Sequence, residues 1–432
     1  MDKLLLKNII VNHKKNFLSP KKLIKRDILS EADKYINSKE IVFITGIRRS
    51  GKSSLMALFA KHLLEKKKIN GNNILFINFE DERFINFNVS DFDSLFQTFI
   101  ELENPEGKKY LFFDEIQNIT GWERWLNRIY EFENVKIFIT GSNASIIGSS
   151  VSSSLTGRNR QIRNYNFSFN EYLLANDFIL REKDELVAHR LANIKREFNN
   201  YILLGGFPEI VTNKDIELAD QYYKDIIHRD IVSKYSVRNV SEVRELCLYL
   251  ISNSGCLVSY ESLKKTIQAK NTTTIKNYIN IFRDVFLINS LPLFDYSIKR
   301  QIYNPEKYYV SDLSFYHAIG YKFSDNLGKL LENIVFEQLL RLNPEIYYWK
   351  TSKGKEVDFL IRKGKSVTDV YQVTYKVSNE NKQREISGLE TAAAEFGNLN
   401  RFILTNDQEY SIKDKYGEIL VIPVWKWLLG LK

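Results

Sequence analysis

IVFITGIRRSGKSSLMALFAKHLL, residues 41–64, puts a five-residue apolar and β-branched run, a glycine-framed polar turn and an apolar helical pattern in direct succession. IVFIT has the form of a strand buried on both faces, and strand, loop and helix in that order are what a phosphate-binding loop requires. Gly46, four residues, then Gly51, Lys52 and Ser53 match that loop in full. The glycines let backbone N–H groups turn toward a β-phosphate, and the helix opening near Ser53 adds its positive end. Lys52 reaches the β- and γ-phosphates, and the Ser53 hydroxyl is a magnesium ligand. Ser50 and Ser54 complete the cofactor-contacting stretch. The cofactors implied are ATP and Mg2+.

Working outward, YLFFDEIQ, residues 110–117, is a second apolar strand that ends in Asp114 and Glu115. A carboxylate at the C-terminal edge of a strand beside the loop holds magnesium, and its neighbour orients and polarises the attacking water. Asp114 is assigned the first task and Glu115 the second, a pairing that fits hydrolysis better than passive binding. VKIFITGSN, 135–143, offers Ser142 or Asn143 to hold the water or sense the γ-phosphate, with an ordinary strand-to-loop turn as the alternative. ILFINFED, 74–81, supplies one more strand, with Glu80 and Asp81 at its end. The four strands alternate with helical segments, the pattern of a parallel α/β sheet with its ligand crevice at the strand C-termini. SSSLTGRNRQIRNYNFSFNEYLL then reads as a mobile loop, from which Arg158 reaches a γ-phosphate, its own or a neighbour's, or stays a surface arginine.

The bulk of the chain sets the rest of the frame. A chain of 432 residues is long enough for two or three domains, and 44% apolar with 13% aromatic residues exclude a disordered protein. The charge of +9 permits nucleic acid or an anionic surface as partner without establishing either. It is concentrated early, with ten Lys or Arg against four Asp or Glu in residues 1–39, including Lys14, Lys15, Lys21, Lys22, Lys25 and Arg26. The plain reading of that segment is a solvated helix. Two cysteines, Cys247 and Cys256, are too few for a disulfide framework and lack zinc-site spacing. No secretory leader and no membrane-spanning run is expected, which points to the cytoplasm.

The division expected is 1–170 for the nucleotide domain, 171–240 for a helical lid or linker, 241–312 for a winged helix and 325–432 for a last α/β domain. In 241–295 three short helices and a β-like run fit helix-turn-helix with a wing. If it meets DNA, Lys264, Lys265, Lys270 and Lys276 face phosphate; winged helices serve equally as protein-binding modules or ATPase lids. From 327, helix, strand, turn and strand with Glu356-x-Asp358 form the skeleton of PD-(D/E)XK nucleases, whose carboxylates hold magnesium beside a lysine. Glu332 and Asp358 are in place, but Gln372 and Thr374 stand where Glu and Lys belong, so cleavage is not expected. Lys376, on the same face if the strand runs through 377, is the one substitute on offer.

The whole chain resembles the prokaryotic AAA+-type P-loop ATPases that carry a C-terminal PD-(D/E)XK-like domain. The resemblance is borne by TGIRRSGKSS, FFDEIQ, ITGSN, SSSLTGR, LLGGFPE, YYVSDLSF, LLENIVFEQLLR, KGKEVDFLI and VIPVWKWLL. It implies an AAA+/ASCE sheet, a winged helix between the halves, and a family doublet at Arg48 and Arg49. It also places the phosphate, metal and water roles on Gly46, Gly51, Lys52, Ser53, Asp114 and Glu115, the loop arginine at Arg158, and the nuclease-like acids at Glu332, Glu356 and Asp358. The function it implies is an ATPase that couples nucleotide state to domain rearrangement, on DNA. The alternatives are a signalling or scaffold ATPase that binds a protein, and an ATP-gated magnesium nuclease. A homo-oligomer is the setting in which Arg158 would act in trans.

Overall fold

The computed structural model describes residues 1–19, 22–143, 157–321, 326–343 and 345–431, which fall into two compact units, Met1–Asn166 and Phe167–Lys432. Lys21 and the serines of 152–154 lie outside the described residues.

In the first unit, β1 (Ile41–Thr45), β2 (Ile74–Asn78), β3 (Lys109–Asp114), β4 (Val135–Gly141) and β5 (Asn159–Arg163) form one sheet in the order β2-β3-β4-β1-β5. Every pairing is parallel. Alternate residues serve opposite faces, as the two-residue period of a strand demands. Phe43, Ile77, Phe113 and Ile139 pack with one cluster, and Val42, Ile44, Phe76, Phe112 and Phe138 with the other. Helices α1 (Lys3–Leu18), α4 (Asp91–Glu103) and α5 (Trp122–Phe132) contribute to the first cluster; α2 (Ala32–Asn37) and α3 (Lys52–Glu65) contribute to the second.

Two expectations are corrected here. The N-terminal helix is not solvated throughout: Leu6, Ile9 and Ile10 of α1 are buried in the sheet's core, because its apolar residues recur at helical spacing between the lysines. The segment after β4 is not all loop, since Asn159–Arg163 adds an edge strand along β1. Of NRQIR only Ile162 is buried, so the run carries none of the apolar signal by which strands are recognised.

In the second unit, helices Phe169–Ala175, Ala188–Leu204, Pro208–Asn213 and Leu218–Asp225 precede a run of helix Val240–Ser252, β6 (Leu257–Val258), helices Tyr260–Thr266 and Thr272–Asp284, β7 (Ile288–Leu291) and β8 (Glu306–Val310). The three strands form an antiparallel sheet, β6-β8-β7. Gly205, at φ +71, lets the chain turn against Asp312; a Cβ there would stand 1.8 Å from the Asp312 Oδ1.

After helix Leu327–Leu342, β9 (Ile346–Lys350), β10 (Glu356–Lys363) and β11 (Ser366–Val373) form an antiparallel meander. Helix Lys382–Phe396 carries the chain to β12 (Asn400–Thr405), parallel to β11. β13 (Tyr410–Asp414) and β14 (Gly417–Pro423) complete a sheet ordered β13-β14-β12-β11-β10-β9. Among the described residues, no helix is long and apolar enough to cross a membrane.

Candidate functional site

The parallel register brings the ends of β1, β3 and β4 to one edge of the first sheet, and the candidate site forms there. β1 stops at Thr45, and Gly46 follows at φ +147 with its missing Cβ directed at the Asn164 carbonyl, 2.2 Å from where that carbon would lie. Gly51 sits in the left-handed region and opens α3, so the first N–H groups of a fourteen-residue helix face the loop's interior. Lys52, buried, donates from Nζ to the carbonyls of Gly46 at 3.1 Å and Ile47 at 3.3 Å. Its ammonium is also 3.8 Å from the Glu115 carboxylate.

Ser53 Oγ donates to Asp114 Oδ2 at 2.6 Å, so the two oxygens assigned to magnesium meet on one side of the loop. Thr140 organises the neighbouring acids. Its hydroxyl donates to the other oxygen of Asp114 and accepts the Glu115 backbone N–H at 2.9 Å. Glu115 itself is held at φ +51, a conformation that costs a non-glycine residue about 1 kcal/mol or more and recurs where side chains must be aimed. Its carboxylate accepts from Gln117. Burial and the adjacent Glu115 push the Asp114 carboxyl up to about 6, against hydrogen bonds from Ser53 and Thr140 that lower it. A carboxylate under that strain has a strong electrostatic interest in a cation. Asp114, Ser53 and Lys52 together therefore fit Mg-ATP in charge and donor type.

Asn143 and Ser142 are buried just past β4, at the same edge. Arg48 reaches Glu80 at 3.5 Å, while Arg49, Ser53 and Ser54 lie on the exposed side of the loop and helix start. Ser50 is fully buried; its carbonyl accepts from Asn164 Nδ2 at 2.8 Å and from Arg26 at 3.3 Å. Arg26 also donates to the Tyr165 carbonyl at 2.6 Å. These two braces, with Thr140 and Gln117, were missed by the sequence reading. Arg26 stood in a basic run with nothing to mark it as buried; Thr140 stood in the polar strand end already singled out.

Arg158 is placed elsewhere. Its carbonyl accepts the N–H of Ile41, the first residue of β1, at 2.8 Å, and its guanidinium pairs with Glu131 at 2.5 Å and with Asn127 on α5. The whole length of β1, about 13 Å, separates it from the phosphate loop. The expectation that it reaches its own γ-phosphate is corrected: the edge strand β5 carries the residue to the wrong end of the sheet.

The second unit gathers the other predicted group. Glu332 from helix Leu327–Leu342 and Glu356 and Asp358 from β10 converge on one point, and Gln372 and Thr374 line the same cavity of about 920 Å³. At the point of convergence lies Lys307 of β8, buried, with Nζ 3.3 Å from Glu332, 3.1 Å from Glu356 and 3.1 Å from Asp358. Burial disfavours its charge, but Glu332 and Asp358 overcome that and hold the ammonium well above the ordinary lysine range. Sequence reading gave Lys307 no role. Lys376 is not on the strand as expected: β11 ends at Val373, and Lys376 is exposed beyond it. Among the described residues, no group of three or more His, Cys, Asp or Glu is arranged to hold a metal ion.

Residues 38–173 match the model of an AAA domain. Residues 195–326 and 327–427 match two domains of unknown function, DUF8612 and DUF4143. The crystal structure of Cdc6p from Pyrobaculum aerophilum aligns over 75% of this chain and 98% of its own, at 13% identity and a TM-score of 0.29, too slight a likeness to carry function. An uncharacterized protein of Haemophilus influenzae is 28% identical over 428 residues, 95% of this chain and all of its own. The uncharacterized protein MJ1544 of Methanocaldococcus jannaschii is 33% identical over 427 residues, 94% of this chain and 91% of its own. The chain belongs to the family of that Methanocaldococcus jannaschii protein, and its AAA P-loop domain makes it an ATP hydrolase.

Proposed function

We propose that the protein hydrolyses ATP with magnesium and couples its nucleotide state to rearrangement of the second unit, acting on DNA. The observation that carries the reading is the convergence of Lys52, Ser53, Asp114 and Glu115 at one sheet edge, with the Ser53 and Asp114 oxygens 2.6 Å apart. Ser53 and Asp114 would hold the metal, which supplies charge neutralisation at the phosphates when bound. Lys52 exchanges its two carbonyl partners for phosphate oxygens, Glu115 orients a water and accepts its proton, and Asn143 stands beside that water as a sensor.

The DNA component is supported by the order of elements in 240–310, which is that of a winged helix. Lys276 is exposed on helix Thr272–Asp284, with Lys270 exposed just before it. The run of helix, three antiparallel strands, helix and parallel strand over 327–405 supports a PD-(D/E)XK-like fold for the last domain. Gln372, Thr374 and the lysine-filled carboxylate cluster weigh against cleavage. The reducing setting suited to two free thiols, Cys247 and Cys256, accords with the cytoplasm.

The test is steady-state ATP turnover with magnesium for wild type, Lys52→Ala and Glu115→Gln, with single-stranded, duplex and branched DNA across a salt series and a series of protein concentrations. Turnover lost in both variants, and raised several-fold by one DNA form with the stimulation fading at high salt, is the expected result. Turnover per chain that rises with protein concentration would place the active form in a homo-oligomer.

A specific observation favours a second reading, an ATPase that binds a protein. The wing between β7 and β8 exposes Tyr296, Ile298, Ile302 and Tyr303, each more than two-thirds uncovered, and an apolar patch of that kind marks a protein contact. Turnover indifferent to every DNA form would move the conclusion there.

A further inference from the structure

We infer that Lys307 is a resident cation standing where the carboxylates Glu332, Glu356 and Asp358 would otherwise gather a divalent ion, so that the site is closed to metal in the native chain and opened by removal of one amine. The inference rests on the geometry of the second unit and holds whatever the chain binds.

The ammonium has three hydrogens, and three carboxylates, one from helix Leu327–Leu342 and two from β10, stand at 3.1–3.3 Å from it. The outer oxygens are also taken. Glu332 Oε1 accepts the Tyr309 hydroxyl at 2.7 Å, and its Oε2 pairs with Lys329 at 2.7 Å. Glu356 Oε2 pairs with Lys350 at 3.3 Å. Asp358 Oδ2 accepts the backbone N–H of Val373 at 2.9 Å. Every oxygen of the three acids therefore has a hydrogen-bond donor or an ammonium within 3.3 Å, supplied by the chain itself.

Charge closes the same way. Three carboxylates face three ammonium groups, those of Lys307, Lys329 and Lys350. A dication added to this set would leave a net double positive charge in a buried place, a heavy cost in low dielectric. Lys307 is also fixed from behind, as the strand next to both β6 and β7 carries it and its ammonium lies 5.9 Å from the ring of Tyr348.

Without the amine, the three acids are an all-oxygen set facing one vacated point, and from 3.1–3.3 Å their oxygens would close in by about 0.7 Å to ligate a hard divalent ion. The cavity beside the cluster, lined by Glu332, Glu356 and Asp358 themselves, gives ions a way in.

The experiment counts bound Mn2+ by electron paramagnetic resonance in nucleotide-free wild type, Lys307→Ala, Lys307→Ala with Asp358→Asn, and Asp358→Asn alone, with thermal melts of each. The expected result is one more Mn2+ per chain in Lys307→Ala than in wild type, lost again in the double variant. The ion should also raise the melting temperature of Lys307→Ala more than that of wild type. A folded Lys307→Ala that gains no Mn2+ overturns the inference. So does a wild-type Mn2+ count that falls by one in Asp358→Asn, since metal would then share the site with the lysine. Should Lys307→Ala not fold, that last comparison decides alone: an unchanged count upholds the closed site.

Discussion

Lys52 and Lys307 are both buried ammonium groups beside carboxylates, 6% and 4% exposed, and the chain holds them in opposite ways. Lys52 gives its hydrogens to two backbone carbonyls of its own loop and has its one carboxylate neighbour at 3.8 Å. Lys307 is enclosed by three carboxylates within 3.3 Å. A carbonyl brings an ammonium no opposing charge and is readily traded for a phosphate, whereas each buried carboxylate adds the attraction of a full opposite charge in low dielectric. A lysine left with weak acceptors is ready for a ligand, and one saturated with carboxylates is part of the frame. The difference predicts which substitution removes activity and which removes stability.

The largest effect should come from Lys307→Ala. Taking one partner out of a buried ionic cluster leaves uncompensated charge and costs about 3–5 kcal/mol, read as a shift in the urea unfolding midpoint of the second unit. ATP affinity of the folded fraction should stay within about twofold, since Lys307 and Lys52 share none of their partners. A loss under about 1 kcal/mol would break the contrast, because Lys307 would then be as replaceable as a surface lysine.

Next comes the reverse pattern. Lys52→Ala should lower ATP turnover by about 100-fold or more, equivalent to about 2.7 kcal/mol of barrier, with little change in unfolding midpoint. Glu115→Gln should match that loss of turnover while retaining ATP binding, because orienting water and accepting its proton are separate from holding phosphate. If Lys52→Ala destabilised the fold as much as Lys307→Ala does, the two lysines would not differ in kind.

What was legible in the sequence follows the same divide between local and assembled signals. β1, β2, β3 and β4 were readable because each is an apolar run ending in polar residues at one edge, and the loop spacing from Gly46 to Ser53 is local in sequence. Gathering of Glu332 and Asp358 was readable from a helix and a hairpin in fixed order. β5 was not, since NRQIR has one buried apolar residue and takes its place only by pairing with β1. Lys307 and Arg26 were hidden for a stricter reason: a buried cation has the same letter as a solvated one, and its partners come from Glu332, Glu356 and Asp358 or from Ser50 and Tyr165, remote in sequence.

Arg26 tests how far the first site's readiness depends on bracing from outside the loop. Arg26→Met removes donors to the carbonyls of Ser50 and Tyr165. Hydrogen bonds from a charged group contribute about 1.5–3 kcal/mol, so the first unit should lose about 2 kcal/mol of stability, with the KM for ATP rising several-fold as the loop loosens. An unchanged KM with lowered stability would make Arg26 a structural tie alone and leave the loop's shape to Gly46, Gly51 and Asn164.

The smallest effect should come from Arg158→Ala, and it separates the two origins proposed for a γ-phosphate arginine. The residue is tied to Glu131 and Asn127 at the N-terminal edge of the sheet, with its guanidinium 5.9 Å from the Tyr130 ring. A partly exposed pair of this kind contributes about 0.2–1 kcal/mol, so stability should fall by no more than that. At dilute protein, turnover should stay within about twofold, because Arg158 is held at the start of β1, the far end of that strand from the loop after Thr45. An arginine supplied by a neighbour instead changes turnover by about a thousandfold. A collapse confined to high protein concentration would therefore show that assembly brings this edge of one chain to the loop of the next, and that what the register of β5 forbids within a chain is supplied between chains.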